Sequence, residues 1–224
     1  PNELAFYLSA TASTPSGPFT VAEPNITMSQ RHGKYGDFDL FVDGRTAYLI
    51  YTVWSPVGPP AQGTHMSVER LSSSFLTSTL QASAVFEGSN ATHAVEAPVM
   101  LRRRSTYFAL FGHGCCFCAG GSGVSIFTAA HPLGPWDSQS SYDIGCEAGE
   151  GVATCNSTVH AQQSFIIDVP TRDGVKQIWV GDRWQSAPDR LKSHDYQFWT
   201  PLTWDDTVEP SRLQRIKWID SFSI

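Results

Sequence analysis

The sequence is short of charge and of helix formers. Only 16% of its 224 residues are Asp, Glu, Lys or Arg, and only four are lysine. Fifteen basic residues against 21 acidic ones leave a formal net charge of −6, and no basic cluster exceeds Arg102–Arg104. A nucleic-acid partner requires a basic face, so none is expected. Long apolar runs are missing too. The longest, such as Ala47–Trp54, fall well short of the ~20 residues of a helical membrane span, so no membrane partner is expected either. Disorder is excluded from the other side, because 13 Phe, 7 Trp and 7 Tyr sit in a chain that is 41% hydrophobic. With 18 Gly and 14 Pro breaking the chain into short pieces, the composition reads as all-β. The length suits one monomeric domain over residues 1–224.

Asparagine is scarce as well, and its placement is informative. Three of the four asparagines open N-x-S/T sequons, at Asn25, Asn90 and Asn156. Together with five cysteines, at 115, 116, 118, 146 and 155, they point to a secreted, extracellular glycoprotein with disulfides. Cys146 and Cys155 flank a short Gly-containing loop, and they pair with each other or with the 115–118 cluster. The odd count leaves one thiol free or paired outside the chain. No signal peptide opens the sequence. Pro1 stands in mid-pattern, which reads as a segment whose N-terminal part is missing.

What the sequence has in abundance is short strand-like runs bounded by turn chemistry. Leu4–Ser9 is one. Phe38–Val42, a turn at Asp43-Gly44 and Ala47–Trp54 form a hairpin signal. The pattern returns at Pro98–Leu101 with Tyr107–Gly112, and at Ser164–Val169 with Gln177–Gly181. Tyr48, Tyr107 and Ile178 take equivalent places in this reading, and Gly17-Pro18-Phe19 is echoed by Gly134-Pro135-Trp136. Repeats of roughly 40–50 residues with several short strands each mark propeller blades, and the longer spacing here implies loop insertions. A β-sandwich is the plainer alternative. The repeated hairpins favour a partial β-propeller of about three and a half blades.

In a propeller the innermost strands line one axial channel, so residues far apart in sequence converge there. A polar group precedes or opens that strand in each repeat: Asp37 and Asp39, then Glu96, then Gln162 and Gln163. Two carboxylates and an amide in one pocket suit glycoside hydrolysis, which needs a proton donor for the leaving oxygen and a group that positions water.

These residues resemble a known family. Asp37–Tyr51 (DFDLFVDGRTAYLIY) is similar to the R-D-x-x-L-F-x-D-x-D-G-x-A-Y-L-I-Y stretch of glycoside hydrolase family 43. Glu96-Ala-Pro-Val-Met100 with Tyr107-Phe108 resembles its E-A-P-x-M-x-x-R-x-G-x-Y-Y, and His65–Thr77 its L-x-I-x-x-L-x-x-D-Y-L. Leu133-Gly-Pro-Trp136, Gly181-Asp-Arg-Trp184 and Phe198-Trp-Thr-Pro-Leu202 look closest to the exo-β-1,3-galactanase branch. The resemblance implies a five-bladed β-propeller and an inverting glycosidase acting on galactan, with arabinan or xylan as alternatives. It makes Glu96 the general acid, Asp37 the carboxylate that supports the acid and orients substrate, and Gln163 the amide at the base position. Gln162 is adjacent, which leaves that register open, and Asp39 competes with Asp37. A non-catalytic carbohydrate-binding propeller is the alternative of a different class. The family's first blade and the start of its second have no counterpart here, and His113–Cys118 is not its usual loop.

The remaining candidates are duller. Trp54, Trp184 and Trp199 read as packing residues, with Trp54 or Trp184 at the pocket rim as a sugar platform. His160 precedes the third channel strand and could face the axis. His113 with Cys115, Cys116 and Cys118 is spaced too tightly for zinc, so no metal is assigned. Arg102–Arg104 reads as a solvated turn. No organic cofactor is expected, and a structural or axial cation such as calcium is the one inorganic group the reading admits.

Overall fold

The computed structural model describes residues 6–30, 34–55, 63–86, 95–113, 117–146 and 158–224. Cys115, Cys116, Cys155, Asn90 and Asn156 lie outside them. Three antiparallel meanders carry the fold. The first is β3 (Lys34–Asp43), β4 (Thr46–Ser55), β5 (Gly63–Leu71) and β6 (Ser78–Ala82). The second is β7 (Val95–Arg103), β8 (Thr106–His113), β9 (Ser125–Ala129) and β10 (Asp137–Asp143). The third is β11 (Gln162–Thr171), β12 (Gly174–Asp182) and β13 (Gln197–Pro201). Two-stranded ribbons stand before and after them, β1 (Ser9–Thr11) with β2 (Thr20–Glu23) and β14 (Trp204–Asp205) with β15 (Arg212–Leu213). The first strand of each meander lies innermost, with β3 beside β7 and β7 beside β11. This is an all-β array of propeller blades, as expected. Among the described residues no helix is long and apolar enough to cross a membrane.

The cores lie between blades, and the period-2 side-chain alternation of a strand explains how. On β4, Tyr48 and Ile50 face the second blade, where they meet Met100, Tyr107, Ala109 and Phe111. Ala47, Leu49, Tyr51 and Val53 face the opposite way, into a cluster with Met28 and Leu71. On β8, Phe108 and Leu110 turn to the third blade and pack with Ile126, Trp179 and Phe198. Second strands are therefore apolar on both faces, which is why they read as continuous hydrophobic runs. Phe111 is fully buried and stacks on Phe127 with ring centroids 5.3 Å apart. Phe111→Ala should lower the unfolding free energy by about 3–5 kcal/mol in urea denaturation, through lost burial and the cavity left behind. A loss under about 1 kcal/mol would mean that the inter-blade core collapses freely around the gap.

Several expectations need correction. Of the strand expected over Leu4–Ser9, Leu4 and Ala5 lie outside the described residues, and residues 6–8 precede β1, which begins at Ser9. Tyr7 instead stacks on Tyr35 at 5.4 Å and donates its hydroxyl to the Gly36 carbonyl at 2.7 Å. Tyr48, Tyr107 and Ile178 all fall on second strands, but their ladder partners are Phe41, Arg102 and Ile167, at different distances from each turn. The Gly-Pro-aromatic echo is structural: Gly17-Pro18 and Gly134-Pro135 are both cis, with glycine φ of 82° and 81°. The three arginines do form a turn with Arg102 and Arg104 exposed, but each is also ion-paired. Arg102 pairs with Asp43 at 2.9 Å, Arg103 grips Asp206 while lying 4.9 Å over the Trp204 ring, and Arg104 reaches Glu209 at 3.7 Å. The Tyr107 hydroxyl and then Arg102 hold the Asp43 carboxyl below its usual range. Trp54 and Trp199 are exposed rather than core.

Candidate active site

The inner strands share a local irregularity that the hairpin pattern did not reveal. Each is bulged near its start, between Tyr35 and Phe38, between Glu96 and Val99, and between Gln163 and Phe165. A bulge takes residues out of the ladder and re-aims their side chains. The residues so displaced include Asp37, Ala97, Pro98 and Ser164, and all of them line one open cleft of about 620 Å³. Glu96, Gln162, Gln163, Phe117, Asp182 and Trp184 complete its principal walls.

Ala97 is the point where the three blades are tied. Its φ of 51° lies in the left-handed region, which costs a residue with a Cβ roughly 1–2 kcal/mol. Two bonds hold it there. Asp37 Oδ2 accepts its amide at 3.0 Å, and Gln163 Nε2 donates to its carbonyl at 2.8 Å. Asp37 is itself placed by its backbone, since the Thr52 hydroxyl donates to its carbonyl at 3.2 Å. Position 36 has to be glycine, because a Cβ there would overlap the Thr52 hydroxyl. Tyr7, bonded to Gly36, is kept neutral by burial and by the nearby Asp37 charge, which raise its pKa.

Both glutamines are buried, but their partners differ. Gln163 is buried and fully committed: Nε2 donates to the carbonyls of Ala97 and of Leu110 (3.0 Å), and Oε1 accepts from Trp179 Nε1 at 3.1 Å. Such an amide holds three elements together and has little left for a water. Gln162 accepts at Oε1 from Trp184 Nε1 at 2.7 Å. That bond orients its amide in the cleft wall.

Asp39 is not in the cleft. Its Oδ2 accepts the Met100 amide at 3.2 Å and so fastens β3 to β7, while burial pushes its carboxyl above the ordinary range. His160 is exposed and is not among the residues that line this cleft. Trp54 stands on a smaller depression of about 250 Å³ that shares Asp37 and Glu96 with the cleft. Trp184 is part-buried at the cleft edge. Sequence reasoning gave Asp182 no role, yet it is a third carboxylate in the cleft. Its ladder partner is Gln162, so pairing the end of β12 with the start of β11 was the signal available.

Elsewhere three side chains of ligating type stand together, His113 and Cys146 buried and Asp143 half-buried. His113 Nε2, an Asp143 oxygen and Cys146 Sγ lie within 4.8 Å of one another. A tetrahedral zinc site takes four ligands. Here His113 Nε2 is bonded to Asp143 Oδ2 at 2.5 Å, with Cys146 Sγ 3.8 Å away, and Asp143 Oδ1 also accepts the Gly145 amide at 2.7 Å. The pair anchors the turn after β10. Cys118 is not in this group.

No family model and no curated protein matches the chain. Solved structures do. A putative exo-β-1,3-galactanase from Bifidobacterium bifidum superposes with a TM-score of 0.71 at 20% identity, over 97% of this chain and 63% of that one. An exo-β-1,3-galactanase from Phanerochaete chrysosporium, solved with β-1,3-galactotriose, gives 0.66 at 24% identity, over 95% of this chain and 42% of that one. A β-1,3-galactosidase of glycoside hydrolase family 43 gives 0.67 at 20% identity, over 89% and 37%. The chain thus spans between about two fifths and two thirds of the length of these structures. Their fold agrees with the motifs read from the sequence: the chain has the β-propeller fold of the family 43 glycoside hydrolase structures.

Proposed function

We propose that the protein is a glycoside hydrolase that cleaves an oligo- or polysaccharide of the β-1,3-galactan type by inversion. The observation that carries this reading is the convergence of Asp37, Glu96 and Gln162, from three blades, in one cleft edged by Trp184 and Phe117. Glu96 protonates the leaving oxygen. Asp37 sets the Ala97 backbone beside it and binds sugar hydroxyls. Gln162, held by Trp184, positions the attacking water. Galactan is preferred over arabinan or xylan because the solved structures named above are described as galactanases and a galactosidase. We further propose that the protein is secreted and oxidised, with Cys118 and Cys146 in disulfides. Asn25, in an exposed bend, is then open to glycosylation.

Proton NMR of β-1,3-galactotriose during the first turnovers tests the reaction. Inversion at a β-linkage releases the α-anomer first. Initial β-galactose would overturn the mechanism, and cleavage of arabino- or xylo-oligosaccharides alone would overturn the substrate. The amide where an inverting enzyme normally keeps a carboxylate base favours a second reading, a carbohydrate-binding propeller without chemistry. Tight binding of the galactotriose with no hydrolysis would establish it.

A further inference from the structure

A second cleft opens beside the first. It has a volume of about 780 Å³ and is lined by Phe117, Trp184, Gln185, Arg190, Lys192 and Asp195. Phe117 and Trp184 belong to both clefts, so the two are adjacent. Trp184 is fixed from both sides. Its Nε1 donates to Gln162, and Lys192 Nζ lies 3.7 Å from its ring centroid, a cation–π contact. Gln185 Nε2 donates to the Phe117 carbonyl at 3.2 Å, tying the two walls together.

The charge of this cleft is unbalanced. Among the described residues Asp195 is the acidic one of its lining, and it is already engaged: Oδ2 accepts the Gln185 amide at 3.0 Å, Oδ1 accepts the Ala187 amide at 2.9 Å, and Lys192 Nζ stands 3.4 Å away. Lys192 is thereby compensated. Arg190 is not. It is exposed, it has no carboxylate partner among the described residues, and its backbone is held at φ 62° with its amide on the Ala187 carbonyl at 3.0 Å. An aromatic wall with a free guanidinium beside it matches a sugar ring that carries an anion, since arginine binds planar oxyanions through two parallel hydrogen bonds.

We propose that this second cleft binds an anionic sugar residue, a hexuronate or a sugar sulfate, attached to the saccharide held in the first cleft. The proposal rests on the saccharide reading of the first cleft and adds the charge class of the substrate. Trp184 and Phe117 hold the ring, and Arg190 holds the carboxylate or sulfate.

Calorimetry on the full chain carrying Glu96→Gln, which suppresses turnover, provides the test. The probes are β-1,3-galactotriose, the same trisaccharide bearing a 6-linked glucuronate, and the same trisaccharide bearing a 6-sulfate. One or both acidic probes should bind roughly tenfold more tightly than the neutral one, and about 0.5 M salt should shrink that margin. Which probe gains identifies the anion. Adding Arg190→Gln should bring the ratio of acidic to neutral affinity to within about twofold, and Arg190→Lys should keep part of it because the charge remains without the fork. Equal affinity for neutral and acidic probes would overturn the proposal, as would a preference untouched by Arg190→Gln. The two readings fail separately. Hydrolysis of the neutral probe by the unaltered chain with no acidic preference sinks only this proposal. An acidic preference without any hydrolysis sinks only the hydrolase. Failure to bind all three probes sinks both.

Discussion

Glu96→Gln should reduce hydrolysis of a natural β-1,3-linked galactan by about 10²–10⁴-fold, the range that a positioned general acid supplies. The substitution keeps the shape of the side chain and removes the proton, so oligosaccharide affinity should change little. The deficit should be smaller on an aryl galactoside, because a phenolate of low pKa departs without protonation. A loss confined to the natural substrate separates an acid from a residue that merely shapes the cleft, which would slow both substrates alike. The fold supports this role for Glu96. The residue stands in the ladder opposite Gly112, immediately before a bulge, with Ala97 locked on its C-terminal side by Asp37 and Gln163. An unchanged rate on galactan would remove Glu96 from the chemistry.

Most of the architecture was legible because second strands are buried on both faces. Ala47–Trp54 and Tyr107–Gly112 appear in the sequence as apolar runs next to turn residues, and they are β4 and most of β8. The convergence of Asp37, Glu96 and the glutamines was legible for a similar reason, since a repeating blade puts the starts of its inner strands at one place. The bulges were not legible. A bulge depends on which residues oppose one another; Gly36 and Pro98 inside their strands are faint local marks of two of them, and Ser164 carries none. Asp39 illustrates the consequence. Without the bulge after Tyr35, alternation alone treats Asp37 and Asp39 as equals on the same face. With it, Asp37 reaches the cleft and Asp39 fastens β3 to β7 through the Met100 amide. The arginine turn was legible but its ion pairs were not, because Asp206 and Glu209 lie over a hundred residues away. Charge spacing within a hairpin carries no trace of them.

The adjacent glutamines should separate cleanly by experiment, because the neighbours they serve are so different. Gln163→Leu removes two donors from the Ala97 and Leu110 carbonyls and the acceptor from the Trp179 indole, all in the interior. Stranding a buried polar group costs about 1–3 kcal/mol each, so the unfolding free energy should fall by about 3 kcal/mol or more. It should also release the left-handed Ala97 and so disturb the cleft indirectly. Gln162→Ala loses one bond at the cleft edge, to Trp184, and should cost about 1 kcal/mol or less. Its effect should appear in turnover instead. Losing the amide that holds the attacking water should slow galactan and aryl galactoside together by about 10²-fold, the scale seen when one preorganised polar group is removed. Urea denaturation and steady-state kinetics on both variants decide the assignment. A stable Gln163→Leu chain with both activities abolished, beside a Gln162→Ala chain of full activity, would return the water-positioning role to Gln163 and make Gln162 no more than a rest for Trp184.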